Sequence, residues 1–259
     1  MKRTSPSAFL FAWIVVAIVA SCWSHAAAEA PVKVSIVTDP TPGRTVRHGL
    51  TKLVEALEAS HRGVQQTDDL RQANGTLVVL AGLAAGSGAA STCLQEIGDA
   101  VPARPESLLV RRTQWRGKPT LLLSGSDDRG LMYALLDTAD RVGWSSNPAD
   151  PFGAVRDARE SAAVAERGLS IYTMHRATFE ERLFDEEYWA SYLDMLARHR
   201  FNSFVLIFGY ENGGYFAPAY PYFFDVEGFP DVQVVNFSAG QQQRYLAALN
   251  RLIRMAHDR

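Results

Sequence analysis

The sequence predicts an α/β protein in two parts: a small N-terminal α+β domain, a mixed sheet with helices, followed by an incomplete (β/α)8 TIM barrel. Three observations predict it. Strand-like and helix-like runs alternate from Val32 to about Gly143. From Arg167 onward, unbroken apolar strands alternate with amphipathic helices, the pattern of a parallel sheet covered by helices. Only 93 residues run from Arg167 to Arg259, whereas a closed barrel needs about 250. Two βα units cannot bury both faces of their sheet, so the expectation is that this chain is the N-terminal part of a longer, truncated protein.

Residues 1–28 stand apart from the fold. Lys2 and Arg3 precede an apolar run from Ala8 to Ala20, and Ala26-Ala27-Ala28 offers small residues for cleavage, the pattern of a secretory signal peptide. The run is too short for a comfortable membrane span, so the mature protein is expected to have no transmembrane segment. Cleavage after Ala28 leaves 231 residues with 24 basic and 28 acidic side chains, a formal charge of −4. Val19-Ala20-Ser21-Cys22 also reads as a lipobox, which makes a lipid anchor at Cys22 the alternative. Either route exports the protein to the periplasm or the extracellular space. With no Lys/Arg block, a nucleic-acid partner is not expected. Cys93 is then the one remaining cysteine, which excludes an internal disulfide. No C-x-x-C and no close histidine pair is present, so no metal site is expected.

Residues 29–144 form the first domain. Val34 to Val37 reads as a strand, and Leu50, Leu53, Val54 and Leu57 mark one helical face. Leu77 to Leu80 is a second strand running into a Gly/Ala-rich stretch, Gly82 to Ser91. Leu108–Val110 and Leu121–Leu123 flank Trp115 to Pro119, whose Gly and Pro predict a hairpin. Leu131, Ala134, Leu135, Thr138 and Val142 then stripe a helix that Gly143 is expected to end. The loop Gly86 to Ser91 resembles a dinucleotide loop with Ser for its third Gly. The acidic residue such a site requires should end the next strand, yet Glu106 lies just before one. A helix-opening turn of small residues accounts better for the loop, and no cofactor is expected.

Residues 145–166, with Pro148 and Pro151, read as a linker. In 167–259, Gly168 to Tyr172 is a strand and Asp185 caps a helix carrying Trp189, Tyr192, Leu193 and Leu196. Phe204 to Phe208 is a buried strand, and Ser238 to Gln241 is a capping box opening a helix with Tyr245, Leu246, Leu249, Leu252, Ile253 and Ala256 inward. In such an architecture substrates meet the loops that follow the strands. Those loops carry His175 and Arg176 after the first strand, and Tyr210, Glu211 and Asn212 after the second. The second loop, Gly209 to Phe237, holds nine aromatic residues, which either stack on the C–H faces of sugar rings or form the loop's own core. Glu211 is the lone carboxylate at that strand's mouth, and no catalytic pair can be named.

Glu166 to Ile171, with its Arg-Gly opening, and Leu193 to Phe204, with its A-x-x-R-x-N run from Ala197 to Asn202, resemble the start of the catalytic barrel in glycoside hydrolase family 20, the beta-N-acetylhexosaminidases. The upstream domain resembles the α+β domain that precedes the barrel there and in the family 67 alpha-glucuronidases. The resemblance implies an exported glycosidase acting on an oligosaccharide or polysaccharide. It makes Arg167 a substrate contact, with His175 and Arg176 near a family "R-H". Tyr172 stands where the family has an aspartate, and Tyr210-Glu211-Asn212 stands where it has an acidic pair. The family's catalytic carboxylates belong to a later strand, so this chain is expected to lack them and to be inactive alone. The alternative is a non-catalytic exported carbohydrate-binding or envelope-associated protein.

Overall fold

Successive side chains of a strand point to opposite faces, and the first domain's central strands are apolar on both. The computed structural model describes residues 33–172, 176–207 and 220–259. One sheet joins β1 (Lys33–Thr38), β2 (Gly63–Thr67), β3 (Leu77–Leu83), β4 (Leu108–Trp115), β5 (Lys118–Gly125) and β6 (Ala158–Glu160) in the order β2-β1-β3-β5-β4-β6. The first four strands of that order are mutually parallel, whereas β4 is antiparallel to both β5 and β6. Between them run α1 (Arg44–Ala59), α2 (Ala89–Glu96) and α3 (Asp128–Trp144). Val34, Ile36, Val79 and Leu123 face α1 and α3, and the alternate residues Val37, Val78, Leu80 and Leu122 face α2. Both faces are therefore dry, which is why these strands read as continuous apolar runs.

α1 and α3 pack closely because Gly49 has no side chain. A Cβ there would lie 3.0 Å from Leu135 Cβ and 3.3 Å from the Met132 backbone. Gly49→Val is expected to cost about 1–3 kcal/mol through overpacking, more than the few tenths it gains in helix propensity. A thermal melt would read this as a lower Tm, and an unchanged Tm would show that the helices can part.

The hairpin between β4 and β5 turns at Arg116 and Gly117, with φ of 49° and 76°. Two positive φ values make the tight turn whose twist suits antiparallel strands. Arg116 stacks on Trp115 at 4.3 Å and pairs with Glu96 at 2.9 Å, which holds a non-glycine residue in that conformation. α3 runs on through Gly143 to Trp144 instead of ending at the glycine. Within the 145–166 stretch, β6 pairs with β4, Phe152 and Val155 are buried, and Asp150 and Asp157 hold Arg112 and Arg111. Residues 32–259 cluster as one compact unit.

A second sheet pairs β7 (Gly168–Tyr172) and β8 (Ser203–Ile207) in parallel, in register from Gly168↔Ser203 to Tyr172↔Ile207. Around it lie α4 (Arg176–Leu183), α5 (Glu186–Arg198) and α6 (Gln241–His257). Asp185 caps α5 through the Tyr188 N–H at 2.8 Å. α6 starts at Gln241, behind Gly240 at φ 81°, so Ser238 is not its cap residue, although Gln241 Oε1 does accept from the Ser238 N–H. Leu246 and Ile253 of α6 are exposed rather than inward. Among the described residues, no helix is long and apolar enough to cross a membrane.

α1 meets α5 at a charged joint. Asp194 accepts from Arg259 Nε at 2.6 Å and pairs with Lys52 at 3.1 Å, and His48 Nε2 lies 3.4 Å away without a hydrogen bond. Burial and the nearby charges of Arg259, Lys52 and Arg198 outweigh the attraction of Asp194 and lower the His48 pKa to about 4. The unfolded chain therefore takes up a proton near pH 6.5 that the folded chain refuses until about pH 4. Stability should fall as pH drops through that window. His48→Gln should flatten the slope in chemical denaturation at stepped pH, and an unchanged slope would overturn this account.

Candidate functional site

The residues expected at the site fall into two groups. Tyr172 and Ile207 end β7 and β8, so the polar groups expected to meet a substrate follow them. His175, Tyr210, Glu211 and Asn212 lie outside the described residues. Arg176 opens α4.

Arg167 sits at the other end of β7, just before Gly168, and its side chain is 19% exposed. A guanidinium has five N–H donors, and all five are taken by protein. Nε donates to Arg200 O at 2.6 Å, and Nη1 donates to Val164 O at 2.7 Å and Ala165 O at 3.2 Å. Nη2 donates to the Glu106 carboxylate and to Tyr133 Oη at 3.3 Å. The sugar contact expected of Arg167 therefore finds no donor left over. Its neighbour Asn202 closes the same knot: its Oδ1 accepts from the Arg167 N–H at 2.9 Å, and its Nδ2 donates to Glu106 Oε1 at 2.9 Å and Ala165 O at 2.8 Å.

Glu106 is the hub that sequence reasoning missed. It holds a left-handed φ of 58°, donates its N–H to Asp127 at 2.7 Å, and receives Arg129 at 2.9 Å as well as Arg167 and Asn202. Burial opposes its ionisation, but the hydrogen bonds from Arg167, Asn202 and Arg129 outweigh that and hold its carboxyl below the usual range. Only its acidic character was visible in the sequence. Its partners lie 23, 61 and 96 residues away.

The Gly-rich loop after β3 has its own occupant. The Asp39 carboxylate lies against Gly82, Gly86 and Gly88 and accepts from the Leu83 N–H at 3.3 Å. A Cβ at Gly88 would stand 2.0 Å from Asp39 Oδ1, so the glycine makes room for this carboxylate. Asp39 thus places negative charge where a dinucleotide loop would receive phosphate. Among the described residues, no three His, Cys, Asp or Glu side chains gather into a metal-binding group.

The aromatic loop divides in two. Tyr222, Phe223 and Phe237 surround Tyr245 of α6, with ring centroids at 5.6, 6.5 and 5.2 Å, and Phe184 meets it edge-on at 5.0 Å. These rings form the loop's own core together with Leu183. Tyr220, Phe224 and Phe229 stay in solvent, at 58%, 52% and 64% exposure. A groove of about 580 Å³ also opens between α5, β8 and α6, lined by Leu193, Leu196, Phe204, Leu206, Leu252 and Ile253. Leu169 of β7 and Val205 of β8 are exposed as well.

This arrangement has a counterpart among solved structures. Across 87% of its length the chain is similar to 23% of a family 138 glycoside hydrolase, an enzyme targeting pectin rhamnogalacturonan II, at 17% identity and a TM-score of 0.60. The likeness shows a glycoside-hydrolase-like α/β fold, and the neighbour belongs to neither of the families that the motifs resemble. The chain spans about a quarter of that neighbour's length. No family model matches the sequence, and no curated protein matches it.

Proposed function

We propose that this chain is the N-terminal portion of an exported glycoside hydrolase acting on glycans, with residues 167–259 supplying the first two βα units of a (β/α)8 barrel. The observation that carries the reading is the parallel β7–β8 pair with exposed apolar Leu169 and Val205, beside the groove between α5 and α6. Barrel strands are apolar on both faces because one lines the interior and the other meets helices. Further βα units would cover these surfaces. The likeness to a glycan-acting enzyme about four times as long supports the same reading.

His175, Arg176, Tyr210, Glu211 and Asn212 would shape the sugar site at the strands' carboxyl ends, and Arg167 would brace it from the opposite end of β7. Two carboxyl groups about 5–9.5 Å apart, supplied by later strands, would carry out acid catalysis. The motif resemblance to families 20 and 67 stays part of the proposal. So does export through residues 1–28, with lipid attachment at Cys22 as its alternative.

The decisive experiment compares this chain with the product of the extended reading frame on aryl glycosides and pectic oligosaccharides. The extended product should hydrolyse a glycoside, and the 259-residue chain should not while binding an apolar dye strongly. A tightly folded 259-residue product that binds glycan but no dye would favour the non-catalytic carbohydrate-binding alternative. Intact mass of the exported protein should begin at residue 29, and a lipid-bearing Cys22 would overturn simple cleavage.

A further inference from the structure

We infer that Tyr220 and Phe224 form a stacking platform for a neutral pyranose sugar, an inference that rests on the glycan reading proposed above. The two rings stand 6.0 Å apart at an interplanar angle of 29°, and more than half of each is exposed. A single exposed aromatic residue needs no explanation, but two near-parallel exposed rings are an apolar surface awaiting a partner.

The chain between them explains why they point outward together. Tyr220–Tyr222 is a 3-10 turn, closed by hydrogen bonds from the Phe223 and Phe224 N–H groups to Tyr220 O at 2.9 and 3.0 Å. The Phe224 bond spans four residues, as in one α-helical turn, where positions four apart share a side, whereas the intervening Tyr222 and Phe223 are held in the core around Tyr245 and Pro221 is buried. Gln242 of α6 fastens the turn from below, donating to Pro221 O at 3.1 Å and Asp225 Oδ1 at 3.3 Å. The turn that carries the two rings is thus held by the protein's own hydrogen bonds.

Charge selects the ligand. From Tyr220 to Gln243 the chain carries Asp225, Glu227 and Asp231 and no Lys or Arg. The nearest cation in sequence, Arg244, lies over the Phe184 ring at 4.3 Å. The acidic bias of this stretch disfavours uronate chains, phosphates and anionic membranes, while carboxylates accept hydrogen bonds from sugar hydroxyls. Aromatic faces supply the apolar contact for the C–H side of the ring. The platform follows β8 in the chain, on the same connection as Tyr210, Glu211 and Asn212.

Calorimetric titration of the full chain with cellohexaose, xylohexaose and a hexameric oligogalacturonide tests this. The neutral hexamers should bind, and Tyr220→Ala or Phe224→Ala should weaken them about tenfold with Tm unchanged, whereas Phe224→Trp should preserve binding. If a neutral hexamer binds the wild type and both alanine variants equally, the platform is overturned while the glycan reading stands. Tighter binding of the oligogalacturonide overturns the neutral class. Absence of binding by every hexamer overturns the platform, while the glycan reading stands or falls on hydrolysis by the extended product. A large fall in Tm in the alanine variants would show that the rings are structural and would overturn the platform as well.

Discussion

Glu106→Ala lowers the unfolding free energy by about 2–4 kcal/mol, because removing one member of a partly buried ionic cluster leaves the others uncompensated. The Glu106 side chain is 11% exposed and receives Arg129, Arg167 and Asn202, so three donors lose their acceptor at once. For a chain of this size each kcal/mol moves Tm by about 2–4 °C, so a fall of roughly 10 °C is expected. The pH dependence has a definite sign. Because its folded pKa is lowered, Glu106 adds stability above the carboxyl's unfolded pKa and loses it as pH falls through the folded value. Urea unfolding at pH 7 and at pH 3 should therefore separate wild type from variant widely at neutral pH and less in acid. A variant as stable as wild type at pH 7 would remove Glu106 from its place as hub.

That hub marks the boundary of what the sequence discloses. Strand identity was legible wherever both faces of a strand are buried, as in Ile36 and Leu80, because burial on both sides leaves an unbroken apolar run. Gly63–Thr67 was not legible: β2 is an edge strand of Gly, Val, Gln, Gln and Thr with no apolar alternation, held by backbone pairing to β1. β6 is just Ala-Arg-Glu, and its pairing with β4 is a tertiary fact. Helix stripes predicted inward faces well for Tyr245 and Leu252 but failed for Leu246 and Ile253, since a stripe says which residues want cover and not whether cover is present. The aromatic loop split between a core and a surface. Tyr222 and Phe223 turned inward while Tyr220 and Phe224 did not, and an unbroken run of aromatic and proline positions cannot reveal that division without the turn that separates them.

Arg167→Ala is the second large effect, and it decides what the Arg-Gly opening of β7 is for. If the guanidinium serves a sugar, its loss weakens ligand binding and leaves the fold intact. The geometry argues otherwise, since its five donors end on Glu106, Tyr133 and three backbone carbonyls. Losing them strands partly buried acceptors and the Glu106 charge together, an expected loss of about 3–5 kcal/mol. Arg167→Lys should not restore it, because an ammonium has three donors on one atom and cannot span acceptors arranged around a planar fork. The double variant with Glu106→Ala sharpens the test. Each single change leaves the other charge unpaired, so the double loss should fall short of the sum by about 1–3 kcal/mol. Strict additivity, or an Arg167→Ala protein that melts with wild type yet loses saccharide binding, would return this residue to the substrate site.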